Sequence, residues 1–336
     1  GGFVIPSVLG SAVVYESADS PNTAIVYDSN SDKIVIAYRD AGNSSYGTAV
    51  VGTVSGTSIS FGTPAVFNTG NALFNSDIGM AFDSSNNKIV LAWKDDNQAG
   101  QAIVGTVSGT SISFGSATQF DSANIKSSVA VAFDSSSNKV LVCYGKSSTG
   151  KAIVGTVSGT SISFGSVVQF ESGEAQSFSA AFDSANNKVV IAYQDVGNAD
   201  YGTAVVGTIS GTSATFGTPV VFESAVIAET TTVFDTLNNK IVHSYSGEST
   251  YGKAIVGTVS GTSISYGSAT TFQALAITRI SSAFDSTKNQ VVCLYNDSSG
   301  SPFNTLSKSG TVSGTSISFG TATVVTDESY SSEVAY

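Results

Sequence analysis

Short apolar stretches alternate with runs of Ser, Thr, Gly, Asn and Asp along the whole chain, and the same order of stretches occurs six times. The stretch VGTVSGTSISFG at residues 51–62 gives the pattern most clearly. Its first glycine returns at Gly52, Gly105, Gly155, Gly207, Gly257 and Gly310. A period of about fifty residues predicts a supersecondary unit that buries its faces only by packing on its own copies.

Each unit is predicted to hold four antiparallel β-strands. In the first unit these strands end near Tyr27, Tyr38, Val54 and Phe67. We expect strand one to lie innermost, because the residues before its aromatic end are often small. Strand two is an unbroken apolar run, as at residues 34–38, and such a run predicts that both of its faces are covered.

Six units of this kind predict an all-β fold, a six-bladed β-propeller of four-stranded blades, with residues 1–336 forming one domain. Seven blades stay open as the alternative, because residues 8–17 repeat the strand-four pattern and residues 331–336 repeat the start of strand one. We expect an N-terminal strand near residues 12–16 to help close the ring against the last blade. In unit six, Ser-Lys-Ser at residues 307–309 replaces apolar residues, which predicts an exposed or bulged strand three.

Two connections in each unit are constant and two are variable. The turn after strand one resembles Asp-Ser-x-x-Asn-Lys, as at residues 83–88, where Asp can accept backbone N–H groups and Asn tolerates a left-handed conformation. The turn between strands three and four is always Ser-Gly-Thr. A four-stranded meander places these constant turns on one face of the ring, the constant face. The variable loops lie on the opposite, variable face, and binding residues concentrate on such loops.

The candidate ligand-binding residues come from the loops between strands two and three. Their side chains offer hydrogen bonds and aromatic surface for sugar rings. They are Arg39, Asp40, Tyr46, Lys94, Asp95, Gln194, Asp195, Tyr201, Tyr251 and Asp297, and Phe303 is a further aromatic residue in these loops. Two alternatives stay open: the tyrosines can pack the loop stems, and the repeated aspartates can order the loops.

Composition excludes several classes of function. Only 12% of residues are charged and the net charge is −11, which disfavours nucleic acid as a partner. No apolar run is long enough for a transmembrane helix and no signal peptide opens the chain, so we expect no membrane insertion. Cys143 and Cys293 are expected to be buried free thiols.

The sequence also gives no catalytic set, so we expect a protein that is not an enzyme and needs no cofactor. His243 is the only histidine, and its place in strand two predicts a packed side chain. Asp28, Asn30 and Asp32 have the spacing of calcium ligands. Other units make the same turn with one carboxylate, so we expect a hairpin turn there and no metal site.

The repeated VGTVSGTSISFG, together with FDSxxNKxVxAY, resembles repeats of structural and tail-fibre-like proteins of marine bacteriophages, cyanophages among them. The resemblance covers essentially the whole chain but transfers no catalytic or binding residue. It implies a module on a virion or extracellular surface, whose partners are a surface glycan or protein receptor, or other virion or fibre subunits. Two functions therefore stay open: glycan-binding adhesion through the variable face, and a structural spacer or assembly unit of a fibre or filament.

Overall fold

The computed structural model describes residues 9–70, 78–247, 250–299, 304–327 and 334–335. The secondary-structure elements in this part of the chain are β-strands, together with one short 3-10 helix, Val196–Asn198. No helix within these ranges has the length and apolarity needed to cross a membrane.

The strands fall into six sets that match the six sequence units. Unit one has β1 (Ala24–Asp28), β2 (Lys33–Asp40), β3 (Tyr46–Ser55), β4 (Ser58–Phe61) and β5 (Ala65–Asn68). Unit two has β6 (Gly79–Asp83), β7 (Lys88–Lys94), β8 (Gly100–Ser108), β9 (Ser111–Phe114) and β10 (Thr118–Asp121). Unit three has β11 (Ile125–Asp134), β12 (Lys139–Lys146), β13 (Thr149–Ser158), β14 (Ser161–Phe164) and β15 (Val168–Glu171).

Units four to six repeat the arrangement. Unit four has β16 (Ala175–Asp183), β17 (Lys188–Asp195), β18 (Tyr201–Ser210), β19 (Ser213–Phe216) and β20 (Val220–Val226). Unit five has β21 (Thr230–Asp235), β22 (Lys240–Ser246), β23 (Tyr251–Ser260), β24 (Ser263–Tyr266) and the first part of β25 (Thr270–Asp285). Unit six begins with the rest of β25 and continues with β26 (Gln290–Asp297), β27 (Asn304–Ser313), β28 (Ser316–Phe319) and β29 (Thr323–Asp327).

Within each unit the first three strands form an antiparallel meander, and the predicted fourth strand follows on the outside. The outer strand is split, which corrects the prediction: β4 and β5 pair separately with β3, and the other units repeat this split. The break falls at Gly62, where a Cβ would lie 1.8 Å from the backbone oxygen of Thr110 in unit two. Glycine is required because two blades approach each other there by their backbones.

The constant turn after strand one forms as the sequence predicts. In unit four, Asp183 accepts hydrogen bonds at Oδ1 from the N–H groups of Ala185 and Asn186, both at 3.0 Å. Asn187 follows with a φ of +53°. Asp183 is buried, and its equivalents in the other five units accept the same pair of backbone bonds.

Strand two is covered on both faces, which confirms that prediction. In unit two, Leu91 and Trp93 pack with residues of unit one, whereas Val90 and Ala92 pack with residues of unit three. None of these four side chains is more than 1% exposed. Units two to five are therefore each held by the two blades beside them, and the fold is a six-bladed β-propeller.

The outward face of unit six, on the side away from unit five, is the least covered blade surface. Val325 stands where unit one has Phe67, and it is 39% exposed against 8% for Phe67. Leu294 is half-buried there, while the equivalent strand-two residues of other units are fully buried. Residues 307–309 are also half-buried, which confirms the exposure expected of this strand, and its pairing with β26 runs without a bulge.

The two ends of the described chain take up repeat positions of their own. Tyr15 packs against Tyr38 and Phe61, with ring centroids 5.2 and 5.8 Å apart, as Phe67 packs on unit two. Residues 9–17 form no strand, in contrast to the strand expected at residues 12–16, and closure of the ring by this segment stays a prediction. At the other end, Val334 donates its N–H to Oγ of Ser281 at 3.2 Å. Of the predicted strand at 331–336, only residues 334 and 335 are among those described.

Candidate functional site

A central channel of about 530 Å3 runs between the six blades. Its walls are the N-terminal halves of strand one, which confirms that strand one is innermost. The six units contribute Ala24, Met80, Ala130, Ser179, Thr231 and Ser281, among others. These half-strands start at the variable face, so the variable loops surround one mouth of the channel.

The repeated aspartates of the variable loops serve as loop anchors. Asp40 accepts the N–H of Asn43 at 3.0 Å, and Asp297 accepts the N–H of Ser299 at 2.9 Å. Asp95 accepts the N–H groups of Asn97 and Ala99, both at 2.9 Å. These bonds bear out the loop-ordering alternative, and they fix the conformation of the loops that any ligand would meet.

Gln194 and Asp195 are more buried than their place in a variable loop suggested. Both are 7% exposed, because strand β17 continues through them to the end of the blade. Gln194 accepts a bond from Nε2 of Gln176 at 2.8 Å and donates to Oδ1 of Asp200 at 3.2 Å. Burial and the charge of Glu171 raise the pKa of Asp195. Gln194 is therefore a buried bridging residue of unit four, which corrects its expected position on an exposed loop.

The three candidate tyrosines open strand three of their units. Tyr251 is 39% exposed, and Tyr46 and Tyr201 are half-buried. A Cβ on Gly252, the residue after Tyr251, would lie 2.6 Å from the ring of Phe272. The backbone beside Tyr251 therefore lies against the aromatic residue of the outer strand, and Tyr251 is the most exposed of the three tyrosines. Phe303 lies outside the described residues.

The two basic candidates are held differently from the tyrosines. Arg39 and Lys94 are half-buried near the variable-face ends of strand two in units one and two. The backbone N–H of Arg39 donates to the carbonyl oxygen of Pro21 at 3.1 Å. Lys94 pairs in register with Gly100 across the strand-two to strand-three loop. Arg39 and Lys94 directly precede Asp40 and Asp95, the aspartates that anchor the loops of these two units.

A set of hydrogen bonds between blades was missed by the sequence analysis. The buried strand-two tyrosine of one unit donates its hydroxyl to the carboxylate that follows the outer-strand aromatic residue of the unit before. The pairs are Tyr38 with Glu16 at 3.4 Å, Tyr144 with Asp121 at 2.8 Å, Tyr193 with Glu171 at 2.8 Å, and Tyr245 with Glu223 at 3.0 Å. The sequence contains an indication of these bonds, because an acidic residue follows the outer-strand aromatic residue at each of these four places.

At two of these interfaces a lysine joins the carboxylate. Nζ of Lys146 lies 2.5 Å from Oδ1 of Asp121, and Nζ of Lys253 lies 2.9 Å from Oε2 of Glu223. Burial alone would raise the pKa of Asp121, but the bonds from Lys146 and Tyr144 and the charge of Lys146 outweigh it and lower that pKa. An open cavity of about 610 Å3 lies beside the first of these ion pairs.

The residues suspected of catalysis or metal binding have structural partners. Burial lowers the pKa of His243 to about 3, and its ring nitrogens lie 2.9 Å from the hydroxyls of Thr232 and Tyr266. Cys143 and Cys293 are buried free thiols, as expected. Within the described ranges no three acidic, His or Cys side chains converge on a point that could hold a metal.

The calcium-like spacing at residues 28–32 is likewise explained by local hydrogen bonds. Asp28 accepts bonds from the N–H of Asn30 at 3.0 Å and of Ser31 at 3.1 Å. Asp32 accepts the hydroxyl of Tyr27 at 2.9 Å. The carboxylates order the turn, in agreement with the turn interpretation of this sequence.

No protein-family model matches the chain, and no curated protein matches it in sequence. Its fold is similar to that of the BP39L lectin from Burkholderia pseudomallei, with a TM-score of 0.68, 10% identity, and coverage of 90% of this chain and 84% of the lectin. It is also similar to the six-bladed β-propeller lectin of Aleuria aurantia, described with a novel fucose recognition mode (TM-score 0.54, 11% identity, 91% and 96% coverage).

A protein of unknown function from Desulfotomaculum acetoxidans has a similar fold too, with a TM-score of 0.61, 12% identity, and coverage of 94% and 91%. At identities this low, the likenesses establish the class of fold, a repeat β-propeller. What those lectins bind is a property of those lectins.

Proposed function

We propose that this protein is a non-catalytic adhesion module that binds surface glycans through its variable face. The observation that carries the proposal is the contrast between the two faces of the ring. The constant face repeats one Asp turn and one Ser-Gly-Thr turn in all six units. The variable face carries a different set of polar and aromatic side chains at each blade, on loops anchored by buried or half-buried aspartates.

The chemistry of this face suits sugars. Sugar rings present hydroxyls that need both donors and acceptors, and an apolar side that stacks on aromatic rings. Tyr251 offers an exposed ring, and Asp95, Gln101 and Asp297 offer half-buried polar groups near the loops. The fold similarity to two lectins supports this choice of ligand class.

The setting in which the module works is part of the proposal. The resemblance of the repeat to tail-fibre-like proteins of marine phages supports a virion or other extracellular surface, with a host glycan or a protein receptor as the partner. A low density of charge and a net charge of −11 fit a module that avoids nucleic acid and anionic membranes.

The test is a glycan array, followed by titration of the best ligand into matched variants. Tyr251→Ala should lose most of the binding, and Tyr46→Ala and Tyr201→Ala part of it. Leu237→Ala is the control, because Leu237 is 59% exposed in the constant turn of the same unit as Tyr251. The proposal fails if no glycan binds, or if Leu237→Ala weakens binding as much as Tyr251→Ala.

A second function, as a spacer or assembly unit of a fibre, is favoured by the outward face of unit six. Leu294 and Val325 are partly exposed at a place where other blades bury such residues. An uncovered blade face and free strand edges are sites at which another chain can add strands. Light scattering over a wide concentration range tests this, with Val325→Lys as the disrupting variant. A monomer at every concentration argues against an assembly role for this chain alone.

A further inference from the structure

We propose that the notch between units two and three, formed by Asp121, Lys146, Lys151 and Val167, is a subsite for a sugar that carries an acidic group. This inference rests on the proposed glycan-binding function and names one site and one ligand class for it. The notch is a cavity of about 610 Å3, and these four side chains are among those that line it.

The inner wall of the notch is a fixed pair of opposite charges. Asp121 has 4% of its side chain exposed and is held from two sides, by Nζ of Lys146 at 2.5 Å and by the hydroxyl of Tyr144 at 2.8 Å. A carboxylate has about four acceptor positions and an ammonium has three donors, so both groups retain capacity for a ligand. The carboxylate of Asp121 can accept a hydrogen bond from one hydroxyl, while the ammonium of Lys146 donates a hydrogen bond to the neighbouring hydroxyl. That pattern matches two adjacent hydroxyls of a sugar ring.

The outer wall adds a further positive charge and an apolar patch. Lys151 is half-buried at the notch, where its Nζ donates to Oε1 of Gln169 at 2.6 Å. Its charge is not cancelled by that neutral amide, so the three charged groups of the notch sum to +1. Val167 is 42% exposed at the rim and can cover the apolar side of a ring. A ligand carboxylate or sulfate group near Lys151 would replace the amide bond by a stronger, charge-assisted one.

The charge of this notch differs from that of the other blades. The chain as a whole carries −11, and four of the six units place an aspartate two residues after the strand-two aromatic residue. Unit three has Lys146 at this position instead. Unit five has glycine there, and its Lys253 is already paired with Glu223. The notch of units two and three therefore presents a net positive charge on the variable face, where four other units carry an aspartate.

The experiment compares two sugars that differ only at C6, where one carries a carboxylate and the other a neutral hydroxymethyl group. Methyl glucuronide and methyl glucoside are titrated into the full chain by chemical-shift perturbation or calorimetry, at low and at physiological salt. We expect the glucuronide to bind about fivefold to tenfold more tightly, as a charge-assisted bond in a half-exposed site allows, and to lose that advantage at high salt.

Lys151→Gln should remove the difference between the two sugars and leave the weaker binding of the glucoside unchanged. Lys139→Gln is the matched control, since Lys139 begins β12, the strand that pairs with the β13 strand of Lys151, at the opposite face of the same blade. Equal affinity for both sugars in the wild type overturns the assignment, as does a charge preference that survives Lys151→Gln. If glycans bind on the array but Lys151→Gln changes nothing, this subsite is wrong while the proposed function stands.

Discussion

Replacing Phe170 by alanine tests the packing between blades most directly. Phe170 belongs to the outer strand of unit three and is 7% exposed. Its ring packs against three rings of unit four, with centroids 6.1 Å from Phe178, 5.5 Å from Tyr193 and 5.4 Å from Phe216. The truncation removes a buried ring and leaves a cavity between two blades, so we expect a loss of about 3–5 kcal/mol in the free energy of unfolding.

Phe133→Ala is the control with identical chemistry. Phe133 ends strand one of unit three and is only half-buried, so its ring loses less contact with the protein and the cost should be about 1.5–2.5 kcal/mol. Urea denaturation followed by far-UV circular dichroism and by the fluorescence of Trp93, in unit two, measures both. Equal midpoints for the two variants would refute the assignment of the blade interface. A Trp93 fluorescence transition whose urea midpoint differs from that of the circular dichroism would refute cooperative unfolding.

Three further predictions use other parts of the fold. Gly115→Ala should strongly destabilise the protein, because the new Cβ would lie 1.9 Å from the backbone oxygen of Thr160. Gly320→Ala should be tolerated, because the nearest atom to its Cβ would be 3.9 Å away. Thermal melts of the two variants test the difference. Burial lowers the pKa of His243 to about 3, below its value of 6.5 in the unfolded chain. Between these two pKa values the unfolded chain binds a proton that the folded chain does not. The free energy of unfolding should therefore fall on acidification through this range by up to about 1.4 kcal/mol per pH unit. Urea midpoints at pH 7 and 5 should differ less in His243→Gln. Burial raises the pKa of Cys143 to about 12, so a thiol reagent should label neither cysteine until urea is added, and labelling of the native protein would contradict this.

The sequence was a good guide wherever an identical residue recurs in every unit. The turn aspartates, such as Asp183, and the apolar strand two could be read from their repetition, because each makes the same short-range contacts in each copy. The order of the strands and the number of blades followed from the same period. These features depend on local hydrogen bonds and on the alternation of side chains along a strand, which a sequence displays directly.

The features that were missed depend on contacts between units or on contacts of the variable loops within one unit. The split of the outer strand at Gly62 results from a backbone contact with Thr110 of the next blade, about fifty residues away. Gln194 is buried where strand β17 continues towards the variable face, and it bonds there to Gln176 of strand one and Asp200 of the variable loop in its own blade. Loop residues of this kind vary from unit to unit, so repetition gives no indication of their partners.

The candidate site was predictable only as a face of the molecule. Repetition separated constant from variable turns, and the assignment of binding to the variable face stays a prediction. It could not distinguish side chains that fix a loop, such as Asp40, from side chains that meet solvent, such as Tyr251. That distinction depends on how far each strand continues into the loop, which differs from blade to blade.

The departures of unit six from the repeat accompany a low burial of its outward face in the described part of the chain. In the five other units a phenylalanine at the Phe67 position is 5–8% exposed, because the following blade covers it. In unit six this position holds Val325, and strand three carries Ser307 and Ser309 where other units have apolar residues. Exposed apolar side chains favour association, so smaller and more polar residues suit a face with less cover. The apolar repeat is therefore maintained by contact between blades, and it weakens at the blade where the described structure provides least of that contact.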